Sequence, residues 1–248
     1  MTKHVLLDNV THKDLKIITQ RGAKYGDNIP SVLTFPSEFK DIQTHYPICF
    51  SQDPSTEKFH AIALMGFEDN ENLFLDGDVW DASYIPLMIQ RQPFLVGLPQ
   101  SRQSNGESSQ LMVHLDMHNP RVSTTQGQSV FLQHGGNSDY LQSISSILEA
   151  LYAGQEESRV FFDILLNYEL MEPFTLEIKL DDGSNNKLTG FYTINEDKLS
   201  ALPSEILSKL MVNGWLGSIY MVIASTANFR ALIERKNRQC TVSSIASV

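Results

Sequence analysis

The hydrophobic period of the chain changes near residue 137, and that change limits the fold more than any single motif does. Before it, apolar and polar residues alternate. In "LMVHLDMHNPR" the set Leu111, Val113, Leu115 and Met117 is wholly apolar, whereas Met112, His114, Asp116 and His118 are mostly polar. This is the pattern of a strand with one face on the core and the other in water. Beyond the change, Leu141, Ile144, Leu148, Leu151 and Tyr152 recur at helical spacing, which turns one apolar stripe toward the core. Strands first and helices later define an α+β class rather than alternating βαβ units. The expectation is an antiparallel-rich sheet in the N-terminal half, with mixed helices and a hairpin in the C-terminal half.

Along the chain, "VLTF" (32–35), "YPICF" (46–50) and "FHAIALMGF" (59–67) read as strands. The last is apolar on both faces, so it is predicted to be central. Asp139 followed by Gln142 resembles a capping box, and Gly154 ends that helix. A second helix is predicted over roughly 156–171, before Pro173. Phe174, Leu176, Ile178 and Leu180 alternate with polar residues, "DDGSNN" turns the chain and "KLTGFYTI" returns it, so a hairpin follows. Pro203 suits a helix start and Asn213-Gly214 its left-handed end. "WLGSIYMVIAS" (215–225) reads as a buried strand, and Phe229, Leu232 and Ile233 form the inner face of a last helix. The polar stretch "PQSRQSNGESSQ" (99–110) is predicted to be a solvated loop. It is also the place for a lobe boundary in what otherwise reads as one domain over 1–248.

With 248 residues, 42% hydrophobic and 19% charged, the chain is large enough to bury its own core. Its net charge of -10 and pI near 5.1 repel phosphate backbones and anionic lipid surfaces, which disfavours nucleic acid and membrane-surface partners. Arg235, Lys236 and Arg238 form a local exception, read as cations favoured at the carbonyl end of a helix. Cys49 and Cys240 stand far apart with no metal spacing, as free thiols in a reducing cytosol would. The first residues hold only three consecutive apolar positions, too few for a signal segment. No run reaches the about 20 apolar residues of a membrane span. A soluble, cytoplasmic protein is expected.

Two constellations carry chemistry. His114-x-Asp116 places an imidazole and a carboxylate on one side of a strand, two corners of an Fe(II) facial triad to which His134 or an earlier histidine could add the third. His118, four residues from His114, would lie about 13 Å away on a regular strand, too far to share the metal. The competing reading is a solvated strand face. The second constellation is "WDASYIPLMIQRQPF" (80–94), where Trp80, Tyr84 and Phe94 offer large contact area. Arg91 there could stack on a ring or form a two-pronged bond to a carboxylate. A purely structural role, with Arg91 tied to an internal acid such as Asp116, is the alternative. His60, inside an apolar run, reads as a hydrogen-bonded core histidine. "LQHGGNSDYL" (132–141) lacks the Lys-Ser/Thr of a phosphate loop and reads as a turn into a helix.

The segment containing Trp80, Tyr84, Pro86, Arg91, Pro93 and Phe94 resembles the signature of the bacterial SapC-like family. "NLFL" (72–75), "LDMHNPRVS" (115–123), "LTGFYTINEDKLSAL" (188–202) and "GWLGSIYMVIASTANFRALI" (214–233) extend the resemblance over nearly the whole chain. Within the family pattern, Asp116, Pro120 and Arg121 match an Asp-x-x-x-Pro-Arg core that does not require histidine at 114. The resemblance implies bacterial surface-layer or outer-membrane settings, near TonB-dependent receptors, flavin-dependent halogenases and cupin-like proteins. It brings no activity with it, and a permease label does not suit a chain without an apolar span. The leading expectation is a non-catalytic accessory or binding protein for a peptide, a small acid or a protein partner, with no cofactor. Trp80, Tyr84, Arg91, Phe94, Asp116 and Arg121 are its candidate contacts. The alternative is a non-haem iron oxygenase-like enzyme using His114, Asp116 and His134, and homo-oligomeric assembly is a third reading.

Overall fold

The computed structural model describes residues 3–97, 112–181 and 183–246; the segment 99–110, with its expected loop and lobe boundary, lies outside the described residues. The chain divides into two compact units. The first is drawn from Met1–Asp27, Gly77–Val79 and Leu87–Ala153, and the second from Asn28–Asp76, Trp80–Pro86 and Gly154–Val248.

In the second unit an antiparallel sheet runs in the order Met171–Lys179, Asn185–Ile194, Ile48–Gln52, Phe59–Leu64, Ser31–Thr34. The alternation around Phe174 forms the expected hairpin, with Phe174 opposite Phe191 and a register shift between Phe174 and Leu176. Phe59–Leu64 is an interior strand with Ala61 to Leu64 all buried, as its two-faced apolarity predicts. His60 at its beginning is half-buried rather than in the core. Phe39, Phe50 and Phe161 are fully buried beside the sheet. The Phe161 ring meets Phe39 at 5.7 Å and Phe50 at 6.2 Å, both edge to face, the favoured geometry for aromatic quadrupoles. Cys49 is buried there as a free thiol, its pKa pushed up to about 12 by burial.

Three expectations change. A single helix, Asp139–Asn167, replaces the two predicted ones. Gly154 does not stop it. A Cβ at Gly154 would stand 2.7 Å from Phe35 Cγ, so the glycine is there to let the helix approach that ring. The helix is capped by Ser138, whose Oγ accepts the Leu141 N–H at 3.2 Å, one residue earlier than the expected Asp139.

Secondly, "WLGSIYMVIAS" is a helix, Trp215–Ser225, entered through Gly214 in the left-handed region at φ 81°. Its buried residues Ile219, Val222 and Ser225 fall three apart, along one helical face. Ser225 Oγ accepts the Ile48 N–H at 2.9 Å and donates to the Val222 carbonyl at 2.6 Å. The helix thereby satisfies a strand donor that would otherwise be buried alone.

Thirdly, Arg235, Lys236 and Arg238 lie inside the helix Asn228–Ala246, not at its carbonyl end. Arg235 covers the Phe74 ring at 4.4 Å and bonds Asp81 Oδ2 at 2.6 Å. Lys236, 8% exposed, pairs with Glu68 at 3.0 Å and Glu71 at 2.5 Å. Burial disfavours its charge, but the two carboxylates outweigh that and raise its pKa. By length and composition the stretch Trp215–Thr241 reaches the threshold for a membrane span that no single apolar run reaches; 28% of its most apolar window is buried in the protein.

The first unit holds two small antiparallel sheets. In one, Met112–Asp116 lies between His4–Leu6 and Phe94–Gly97; in the other, Lys16–Ile17 lies between Val122–Ser123 and Gln128–Ser129. Leu15, Ile17, Phe94, Leu115 and Val130 close on Leu141, Ile144 and Leu148 from the start of the long helix.

Gly154→Ala is expected to lower stability by about 1–3 kcal/mol through overpacking against Phe35, despite its better helix propensity. Ser225→Ala should cost a similar amount, about 1–3 kcal/mol, by stranding the Ile48 N–H. Urea unfolding of each variant measures both, and a stabilised Gly154→Ala protein would contradict the packing role.

Candidate functional site

The aromatic segment supplies a buried polar chain in the second unit. Trp80 is 9% exposed, and its Nε1 donates to Tyr46 Oη at 2.8 Å; Tyr46 donates to the Tyr84 carbonyl at 2.5 Å. Tyr84 Oη donates to Glu38 Oε1 at 3.0 Å, and Thr34 donates to Glu38 Oε2 at 2.9 Å. Burial holds the Tyr84 phenol well above its usual pKa, and the charge of Glu38 adds to the shift. The polar ends of Trp80 and Tyr84 are thus engaged inside the protein, Trp80 on Tyr46 and Tyr84 on the buried Glu38.

The other predicted contacts belong to the first unit. Arg91 turns back on its own loop, with Nη1 bonding the Phe94 carbonyl at 2.7 Å and Nε meeting Met88 Sδ at 3.4 Å, rather than reaching Asp116. Phe94 is fully buried, its ring 6.2 Å from that of Tyr140. Asp116 closes the turn after its strand by accepting from the backbone N–H groups of Lys3 and His118 at 3.1 Å each. Desolvation raises its pKa, but those amides and the neighbouring His4 and His118 lower it further, so the carboxyl sits below its usual value.

His114 occupies the central strand opposite Leu6 and Leu95. Its face is only partly wet. The ring is half-buried against Gly97, where any Cβ would collide with it, and its Nδ1 is enclosed with no hydrogen-bond partner among the described residues. His134 and His118 are exposed. Among the described residues no three His, Cys, Asp or Glu side chains gather closely enough to hold a metal ion, so His114, Asp116 and His134 do not form the facial triad.

What the structure does assemble centres on Arg121, 1% exposed. Its Nη2 bonds both oxygens of the fully buried Asp27 at 2.7 Å, and its Nη1 bonds the carbonyls of Gln20 at 2.6 Å and Ile18 at 3.1 Å. The guanidinium also covers the Tyr25 ring at 5.2 Å. Its Nε is enclosed with no acceptor among the described residues.

Beside this pair lies a cavity of about 170 Å³ whose walls include Arg21, Arg121, Tyr140, Ile144 and Ile147. Arg21 Nη1 reaches the Ile89 carbonyl at 3.4 Å and stands 3.8 Å from Asp27 Oδ1. Burial lowers the Arg21 pKa; Asp27 opposes that shift, and the like charge of Arg121 adds to it. Tyr140 is pushed up to about 12 by burial against the opposing pull of both arginines, so its hydroxyl remains a neutral donor near pH 7. Two guanidiniums and one carboxylate leave a single positive charge in excess at the cavity.

Asp27, Arg21 and Tyr140 escaped the sequence reading. Arg21 and Asp27 lie in one stretch far before Arg121, and Tyr140 lies in another after it, so no short-range pattern signals their meeting. Only Arg121 was singled out beforehand, through its place after Asp-x-x-x-Pro.

Fold and site together define an α+β protein with a small cationic pocket. The SapC family model matches residues 7–232 of 248, and the chain belongs to that family. No curated protein and no solved structure matches it.

Asp27→Ala should destabilise the protein by about 3–5 kcal/mol, because it leaves the Arg121 charge buried without a partner. The double variant Asp27→Leu, Arg121→Met should recover much of that loss. Chemical denaturation of the two proteins is the measurement, and equal losses in single and double variants would count against the pair as the cause.

Proposed function

We propose that the protein is a non-catalytic, cytoplasmic accessory protein that binds a small acid and serves a bacterial surface or outer-membrane uptake system. The observation that carries this reading is the cavity beside Arg21 and Arg121, with its excess positive charge in a desolvated setting. An anion entering it would meet donors that need little reorganisation, since Arg121 is already held by Asp27 and two carbonyls.

The walls favour binding over reaction. Among the described residues, none of those lining the cavity is a carboxylate, imidazole or thiol, the groups that usually act as general base at neutral pH. Ser143 Oγ is spent on the Asp139 carbonyl at 3.0 Å. The uptake setting rests on what the family resemblance implies, a place near TonB-dependent receptors, and a protein partner in such a system would receive the ligand.

Equilibrium dialysis of the full chain against a bacterial small-molecule and peptide extract, followed by mass spectrometry, tests the reading. The expected result is retention of one or a few small acids, recovered chemically unchanged after prolonged incubation. Conversion of a retained compound would overturn the non-catalytic role, and retention of neutral compounds alone would overturn the acid-binding one.

A further inference from the structure

Resting on that binding reading, we infer that the cavity takes a small monocarboxylate with a short apolar body, in preference to tetrahedral oxyanions such as sulfate or phosphate. Charge decides first. Arg21, Arg121 and Asp27 sum to one positive charge, which a monoanion neutralises. Sulfate, or phosphate in its dianionic form, would leave one negative charge buried without compensation, a state that desolvation strongly disfavours.

Geometry decides next. Among the described residues, Arg21 spends only Nη1 on protein acceptors, which leaves Nε and Nη2 in the parallel arrangement that matches the two oxygens of a carboxylate. Arg121 also lines the cavity, and its enclosed Nε, on a side chain 99% buried, has no acceptor among the described residues. The hydroxyl of Tyr140, also in the wall, has no acceptor among the described residues and is held neutral.

The remaining wall mixes Thr19, Gln90, Gln92 and Ser143 with three isoleucines. Ile18, Ile144 and Ile147 line the cavity, two of them from successive turns of the long helix. They offer a hydrocarbon surface that sulfate or phosphate cannot use and an alkyl or aryl group can. A cavity of about 150 Å³ accommodates benzene, so the volume here admits a body of about six to eight non-hydrogen atoms.

Isothermal titration calorimetry of the full chain at pH 7 with benzoate, butyrate, sulfate and phosphate reads this preference. Benzoate or butyrate should bind at least about tenfold more tightly than either inorganic anion, and Arg21→Gln should weaken the carboxylate by about tenfold or more. Ile147→Phe, a half-buried position on the helix, fills the cavity while keeping both guanidiniums, and should abolish carboxylate binding; its thermal melt verifies folding. Sulfate or phosphate binding as tightly as the carboxylates would overturn the preference and leave a small-acid pocket standing. Binding of none of the four, or carboxylate affinity unchanged in both variants, would overturn the preference and the pocket reading together.

Discussion

A guanidinium can be buried only where an opposite charge and enough acceptors surround it, and in this protein Asp27 and the carbonyls of Ile18 and Gln20 meet that requirement for Arg121. The consequences spread through the first unit. The segment from Ile18 to Asp27 is held by the side chain of one residue 94 positions away from Asp27 in sequence, and the Ile18 N–H also bonds the Arg121 carbonyl at 2.9 Å. Asp27 in turn accepts the Gly22 N–H at 2.9 Å. One ion pair therefore sets the path of a stretch that contributes Ile18, Thr19 and Arg21 to the cavity wall.

That arrangement separates stability from availability. The Asp27-facing edge of Arg121 is saturated, and removing its partner is costly for the fold. The excess charge arises from Arg21, whose contacts to protein are long by comparison, 3.4 Å to a carbonyl and 3.8 Å to Asp27. A guanidinium with short bonds holds the frame, and one with long contacts can exchange them for a ligand. Trp80 and Tyr84 show the opposite case: Trp80 Nε1 is spent on Tyr46 and Tyr84 Oη on Glu38, at ordinary hydrogen-bond lengths. Large aromatic residues beside prolines drew attention as contacts, yet their hydrogen bonds complete a buried network.

Much of the fold was legible because period reports facing. Alternation placed the Met171–Lys179 hairpin correctly, a short run apolar on both faces placed Phe59–Leu64 in the sheet interior, and helical spacing placed Leu141, Ile144 and Leu148 on the core. Period fails where a run is apolar on all sides, and "WLGSIYMVIAS" fits a buried strand or a buried helix equally well. Its helix is seen in the burial of Ile219, Val222 and Ser225 alone. Gly154 misled for another reason: local preference makes glycine a helix stop, whereas the need to approach Phe35 makes it the residue that lets the helix pass.

The sequence by itself determined the α+β class, the strands of the larger sheet and the family, because each is written in local spacing or in short ordered motifs. The tertiary structure alone decided what Arg121 faces. Arg21 and Asp27 come from one stretch of chain and Arg121 and Tyr140 from two others, and their charges acquire meaning only when folding brings them within a few ångströms and removes the water between them. It likewise decided that His114 and Asp116 share no third ligand with His134. Two residues on one strand face state a direction, and a metal site needs a point where three directions converge.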